Sequence, residues 1–201
     1  MALTKKAERT KAKLLQSAKK LIGEKGFDRV SVEDITRDSG VAKGTFYHYF
    51  KCKEDVIMER SFQSSRVIIN QSIHLEGTVV DRCCFFIMNM YRDARWAGVR
   101  LVRQWIRECI ESETGDAKVK ECLEDFHSSL LTILTVHRGE GPGELVEDAP
   151  VDTLVKLLIG HIFGTLTVWC MVNGVWQMDD KTGEKYTRID IGNLLKPYLI
   201  P

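Results

Sequence analysis

The run SVEDITRDSGVAKGTFYHYFKCK, from Ser31 to Lys53, constrains this chain more than any other stretch. Ser31 is placed to N-cap a helix with its hydroxyl, and Asp34, three residues on, offers a weak capping box. Val30 and Ile35 sit at staple spacing around that cap. Val32 and Ile35 point inward, and the helix stops at Ser39-Gly40, where glycine can take a positive φ and reverse the chain. Val41 then plugs the angle to a second helix over about residues 42–50. On this helix Phe46, Tyr49 and Phe50 share one side, while Lys43, Gly44, Tyr47 and His48 share the other. A cation, a small residue, a phenol and an imidazole on an exposed face suit a polar, anionic partner. Two helices across a glycine turn, the second so equipped, form the arrangement that reads base edges in a DNA major groove. An ordinary helical hairpin with a solvated outer face has the same spacing.

The run I-T-x-x-S-G-V-A-K-G-T-F-Y-H-Y-F-K-x-K-E-D resembles the DNA-binding domain of the TetR/AcrR (tetracycline-repressor-like) family of bacterial transcription regulators, over roughly residues 8–60. Glycine, aromatic and lysine positions agree in register. Beyond that span the similarity is one of architecture. The resemblance implies an all-α fold, with a three-helix helix-turn-helix DNA-binding domain at residues 1–53. A helical ligand-binding and dimerisation domain would follow at 54–201, for about nine helices in total. It also implies a fourth helix that carries a ligand signal to the DNA-reading heads, and a phosphate contact for Lys53. Position 52 departs from the family pattern: Cys52 stands where a small polar cap is usual, so the cap of the fourth helix should be weak. The candidate DNA contacts are Ser31, Arg37, Lys43, Gly44, Thr45, Tyr47, His48 and Lys53. Lys43 and His48 are best placed for bases, and Thr45, Tyr47 and Lys53 for phosphates.

Charge supports the same division. The formal net charge is +1, but residues 1–53 hold thirteen Lys and Arg against six Asp and Glu. The remainder therefore holds sixteen against twenty-two, and a basic third on a slightly acidic body is the electrostatic footprint of a nucleic-acid binder. No uninterrupted apolar run of about 18 residues occurs, which argues against a membrane span. The polar start MALTKKAERTKAK lacks a signal core and points to the cytoplasm. The six cysteines (Cys52, Cys83, Cys84, Cys109, Cys122, Cys170) show no C-x-x-C spacing and read as reduced core fillers. Neither a nucleophile elbow, a phosphate loop nor H-E-x-x-H is present, so no enzyme activity, cofactor or metal site is expected.

Helices are expected at 5–25, 54–72, 79–94, 96–111, 117–138, 151–175 and 184–196, besides the two of the DNA-reading motif. The turns between them are Glu76-Gly77-Thr78, Thr114-Gly115-Asp116, a long 138–150 loop containing GEGPGE and expected to be mobile, and 179–183. Residues 151–175 are apolar almost all round, with Gly160 and Gly164 four apart, and a lone surface helix would show a polar face. One face is expected to meet a second copy through Leu158, Ile162, Phe163, Leu166 and Trp169, helped by Ile191, Leu194 and Leu195; the resemblance implies the same four-helix interface. Phe86, Met90, Trp96, Trp105, His127, Trp169 and Met171 are the candidate lining of a pocket for a mostly apolar small-molecule effector. The chain thus reads as a homodimeric, ligand-responsive regulator, and as a repressor acting on a palindromic double-stranded operator. A protein-binding adaptor and a constitutive DNA binder without a ligand are the alternatives.

Overall fold

A computed structural model describes residues 5–111, 117–175 and 181–201. Among them are nine α-helices: α1 Lys5–Lys25, α2 Val32–Ser39, α3 Lys43–Tyr49, α4 Lys53–Ile73, α5 Val79–Ala97, α6 Val99–Glu111, α7 Ala117–Thr135, α8 Val151–Met171 and α9 Thr182–Leu195. Short 3-10 turns stand at Phe27–Arg29 and Lys196–Tyr198. The fold is all-α, an N-terminal helix-turn-helix followed by a helical body. The 114–116 turn, residues 179–180 and the Cys122 side chain lie outside the described residues.

The head forms where local rules predict it. Ser31 Oγ accepts from the Asp34 amide at 3.1 Å, and Asp34 accepts from the Ser31 amide at 3.0 Å, so the capping box closes. Gly40 ends α2 at φ 66°, and the Val41 amide donates back to the Thr36 carbonyl at 3.1 Å. Leu14, Ala18 and Ile22 of α1 bury with Ile35 of α2, Phe46 and Phe50 of the α3 segment, and Val56 and Ile57 of α4 in one core. Cys52 supplies no side-chain cap to α4. Asp55 compensates in part by accepting from the Lys51 amide at 2.8 Å.

In the body, α5 packs on α4, α7 and α9, and α8 lies on α6 and α7. By length and composition α8 could cross a membrane, but Leu154, Val155, Leu158 and Ile162 are sealed against the neighbouring helices. It ends at Met171, short of the expected 175, because Asn173 and Gly174 take positive φ and the Gly174 amide returns to the Trp169 carbonyl at 2.9 Å.

The expectation of a mobile 138–150 loop is corrected. Arg138 Nε donates to the Val146 carbonyl at 3.2 Å, and Gly143 exchanges backbone contacts with Ile200 and Val79. A Cβ at Gly143 would stand 2.6 Å from the Thr78 methyl, so the loop closes tightly on the start of α5. Beneath it, buried Arg82 pairs with Glu144 and donates to the Gly77 carbonyl at 3.0 Å. The glycines let this loop fold back on itself; they do not loosen it.

Candidate DNA-reading face and body site

α3 presents Lys43, Gly44, Tyr47 and His48 outward while Phe46 is fully buried beneath them. That is the division its helical spacing predicts. Tyr47 is half exposed, and Phe46 meets its ring edge-on at 5.4 Å, which steadies the phenol from below. A Cβ built on Gly44 meets nothing, so the backbone there is open to close approach by a partner. Thr45 is partly covered, with its amide turned back to the Ala42 carbonyl at 2.9 Å. Arg37 projects from the end of α2, 3.5 Å from Asp34. Ser31 lies at the start of α2 with its hydroxyl committed to Asp34 at 2.6 Å.

Two lysines of this surface are engaged. Lys43 is ion-paired to Glu33 of α2. The hydrogen bond and charge of Glu33 hold the Lys43 pKa above its ordinary value, and Lys43 holds the Glu33 carboxyl below its own. Lys53, the lysine expected to meet a phosphate, has partners within the head. Its ammonium donates to the Phe27 carbonyl at 2.7 Å and the Val30 carbonyl at 2.8 Å, and lies 3.9 Å from the centre of the Phe27 ring. Burial pushes its pKa down. Two of its three donors tie α4 to the turn before α2, which explains a cation at the positive end of a helix. Glu33 was missed as a site residue, because ten residues and a turn separate it from Lys43 and no local spacing rule connects them.

In the body the expected pocket lining divides. Phe86 of α5 meets Phe126 of α7 at 6.3 Å, Phe126 meets Phe163 of α8 at 5.6 Å, and Phe163 stacks on Trp105 of α6 at 5.5 Å. Four helices thus share one aromatic run. Met90 is buried and His127 half-buried. Trp96 lies beside Gly23 of α1, at the junction with the head. Trp169 is buried, its indole donating to the Gly174 carbonyl at 3.1 Å. Met171 is 77 % exposed and faces away from the interior, which removes it from any pocket lining.

The expected interface residues need the same correction. Leu158, Ile162, Ile191 and Leu195 are fully buried within their own chain, Leu166 and Trp169 nearly so, and Phe163 belongs to the aromatic run; Leu194 is partly buried against the same core. The apolar face left open carries Leu157, Met171, Tyr186 and Ile189. Between α8 and α9 it holds a groove of about 370 Å³, bordered by Gly160, Gly164 and Gly183. The all-round apolarity of α8 hid which stripe was which.

Among the described residues no cluster of three metal-ligating side chains occurs. Burial pushes the Cys84 thiol up to about 11 and that of Cys83 higher still, so these are poor nucleophiles at neutral pH.

Residues 14–59 match the family of bacterial regulatory proteins named for tetR. The chain carries the DNA-binding domain of a TetR-family transcriptional regulator. The regulator is 26 % identical to the fatty acid metabolism regulator protein of Bacillus subtilis, across 79 % of its own length and 82 % of the relative's. A putative TetR-family regulator from Mesorhizobium loti shares its fold at a TM-score of 0.68 and 17 % identity, covering 98 % of this chain and 100 % of that one. FadR from Bacillus subtilis, solved in complex with stearoyl-CoA, superposes at a TM-score of 0.53 and 22 % identity, covering 91 % and 96 %. Beyond the fold, the family makes this a DNA-binding regulator.

Proposed function

We propose that the regulator is a homodimeric repressor that grips a near-palindromic operator and lets go when an apolar effector enters the body. The observation that carries this reading is the outer face of α3, where Lys43, Gly44, Tyr47 and His48 stand open over the buried Phe46. Lys43 and His48 are assigned to base edges, and Arg37, Thr45, Tyr47 and the amides at the start of α2, beside Ser31, to phosphates. Lys53 serves chiefly as a tie within the head, with one donor left for a phosphate. Two heads reading half-sites one helical turn apart, about 34–36 Å, require a dimer. The exposed apolar stripe of α8 and α9 is the face offered to the second copy, and Gly160 and Gly164 allow close helix approach.

The effector reading rests on the aromatic run between α5, α6, α7 and α8. The likeness to a fatty acid metabolism regulator, and to a fold that holds stearoyl-CoA, favours a long-chain acyl thioester. Release then requires the ligand to prefer the non-binding arrangement, since only differential affinity shifts an equilibrium.

Selection of duplex sites followed by fluorescence anisotropy tests the reading. Binding should be tight, near-palindromic and steeply salt-dependent, and micromolar stearoyl-CoA should release the DNA. Absence of salt-dependent duplex binding sinks the regulator reading. Tight binding unmoved by stearoyl-CoA removes the acyl effector and leaves the constitutive binder. Ile189→Glu should give monomers on sizing with a folded circular-dichroism spectrum, and a dimer that survives it discards this interface.

A further inference from the structure

The acidic residues of α2 are out of character in a basic head. Glu33, Asp34 and Asp38 are three of the six acids in residues 1–53, and each meets a cation. Asp38 accepts from Lys20 at 2.7 Å, Asp34 stands 3.5 Å from Arg37, and Glu33 holds Lys43. The first two have local explanations: Lys20–Asp38 ties α1 to α2, and Asp34 closes the capping box with Ser31. Glu33 is not needed for that box, which is complete without it. Its partner is the first residue of α3, on the open side of the reading helix, and both side chains are about half exposed, at 52 % and 53 %.

An ammonium that already donates to a carboxylate must give up that contact before it donates to a base edge or a phosphate. The carboxylate it leaves then sits, uncompensated, beside the polyanion. Both effects weaken the DNA complex, and both vanish when the carboxylate is made neutral. We propose that Glu33 sets operator affinity by competing with DNA for Lys43. The proposal rests on Lys43 being a DNA contact, as assigned above. Its use to a ligand-released regulator follows from population arithmetic: the weaker the complex, the smaller the differential affinity an effector must have to dissolve it.

A double-mutant cycle read by anisotropy tests this with the full-length dimer. Glu33→Gln should tighten operator binding roughly two- to five-fold per subunit, the range of exposed ion pairs, and raise the effector concentration needed for half-release. The log–log salt slope should steepen by about one per subunit, because one more lysine is free to displace counterions. In a Lys43→Ala background the same change should give a clearly smaller gain, since only the carboxylate's own repulsion of the polyanion is then relieved. Glu24→Gln, which removes an equal charge from α1, should give only a small increase that is indifferent to Lys43. Melting curves of each variant, none of which empties the core, confirm that the fold is intact.

The proposal is overturned if Glu33→Gln leaves affinity unchanged, or if its gain is equally large with Lys43 absent, since Glu33 would then act through the general field alone. If Lys43→Ala itself leaves operator affinity and base preference intact while binding stays salt-dependent, the assignment of Lys43 as a contact falls instead. The two failures are therefore distinct readouts of one experiment.

Discussion

The turn at Gly40 and the loop at 138–150 are both tight connections built with glycine, yet different kinds of contact hold them. The first is closed from within five residues: the Val41 amide reaches the Thr36 carbonyl, and Ser31 and Asp34 cap the helix it ends. The second is closed from far away. Glu144 meets Arg82 across 62 positions, and residues 143–146 pair with the tail at Tyr198 and Ile200, with hydrogen bonds of 2.8–2.9 Å. A connection stabilised by near neighbours announces itself in the chain, whereas one stabilised by distant partners looks like a flexible linker until those partners arrive.

The largest expected effect breaks the distant kind. Glu144→Leu strands the buried Arg82 guanidinium with only the Gly77 carbonyl for company, and should cost about 3–5 kcal/mol in urea unfolding. Adding Arg82→Met should recover most of that loss, since an apolar pair of similar volume needs no counter-charge. A single variant that unfolds like wild type would mean that the loop is held by its backbone pairing alone.

Next comes the local kind. Gly40→Ala forces a side chain into the left-handed region at a point where nothing crowds the added Cβ. It should therefore lose only the backbone preference, about 1–2 kcal/mol, with amide exchange rising in the head and not in the body. Uniform loss of protection throughout the chain would show that the head and body unfold as one unit, and the contrast between the two connections would lose its energetic meaning.

The smallest effect concerns pH and sharpens the comparison within the body. His161 lines the groove between α8 and α9 with Nε2 buried and unbonded, facing Tyr91 of α5 and Tyr186 and Asp190 of α9. Burial pushes its pKa below the ordinary histidine value, with Asp190 opposing the shift. The unfolded chain thus binds the proton more readily, so this contribution is full above about pH 6.5 and is lost as pH falls below it. In the head, Asp34 and Asp38 are held low by hydrogen bonds from Ser31 and Lys20, and their contribution is present above about pH 4 and lost below it. Melting temperature should therefore decline in two stages on acidification. His161→Gln should flatten the upper stage only; an unchanged profile would exclude this histidine as its source.

The sequence by itself determined the head: its caps, its glycine turn, which side of α3 is buried and which is open, and hence the class of partner. It also marked most helix boundaries to within about a turn, although the helices expected over 96–111 and 151–175 run through Gly98 and the pair Asn173-Gly174, whose positive φ separates α5 from α6 and ends α8 early. Tertiary structure alone decided the rest. It withdrew Lys53 into the head by supplying two carbonyls from the turn before α2, and it gave Lys43 a partner in Glu33. On α8 it chose Leu158 and Ile162 for the core and left Leu157 and Met171 outside, a distinction that a helix apolar on every side cannot carry in its own periodicity. The physical reason is common to all three: a side chain's hydrogen-bonding capacity and apolar surface are fixed by its type, but which groups arrive to satisfy them depends on residues that only the folded chain brings near.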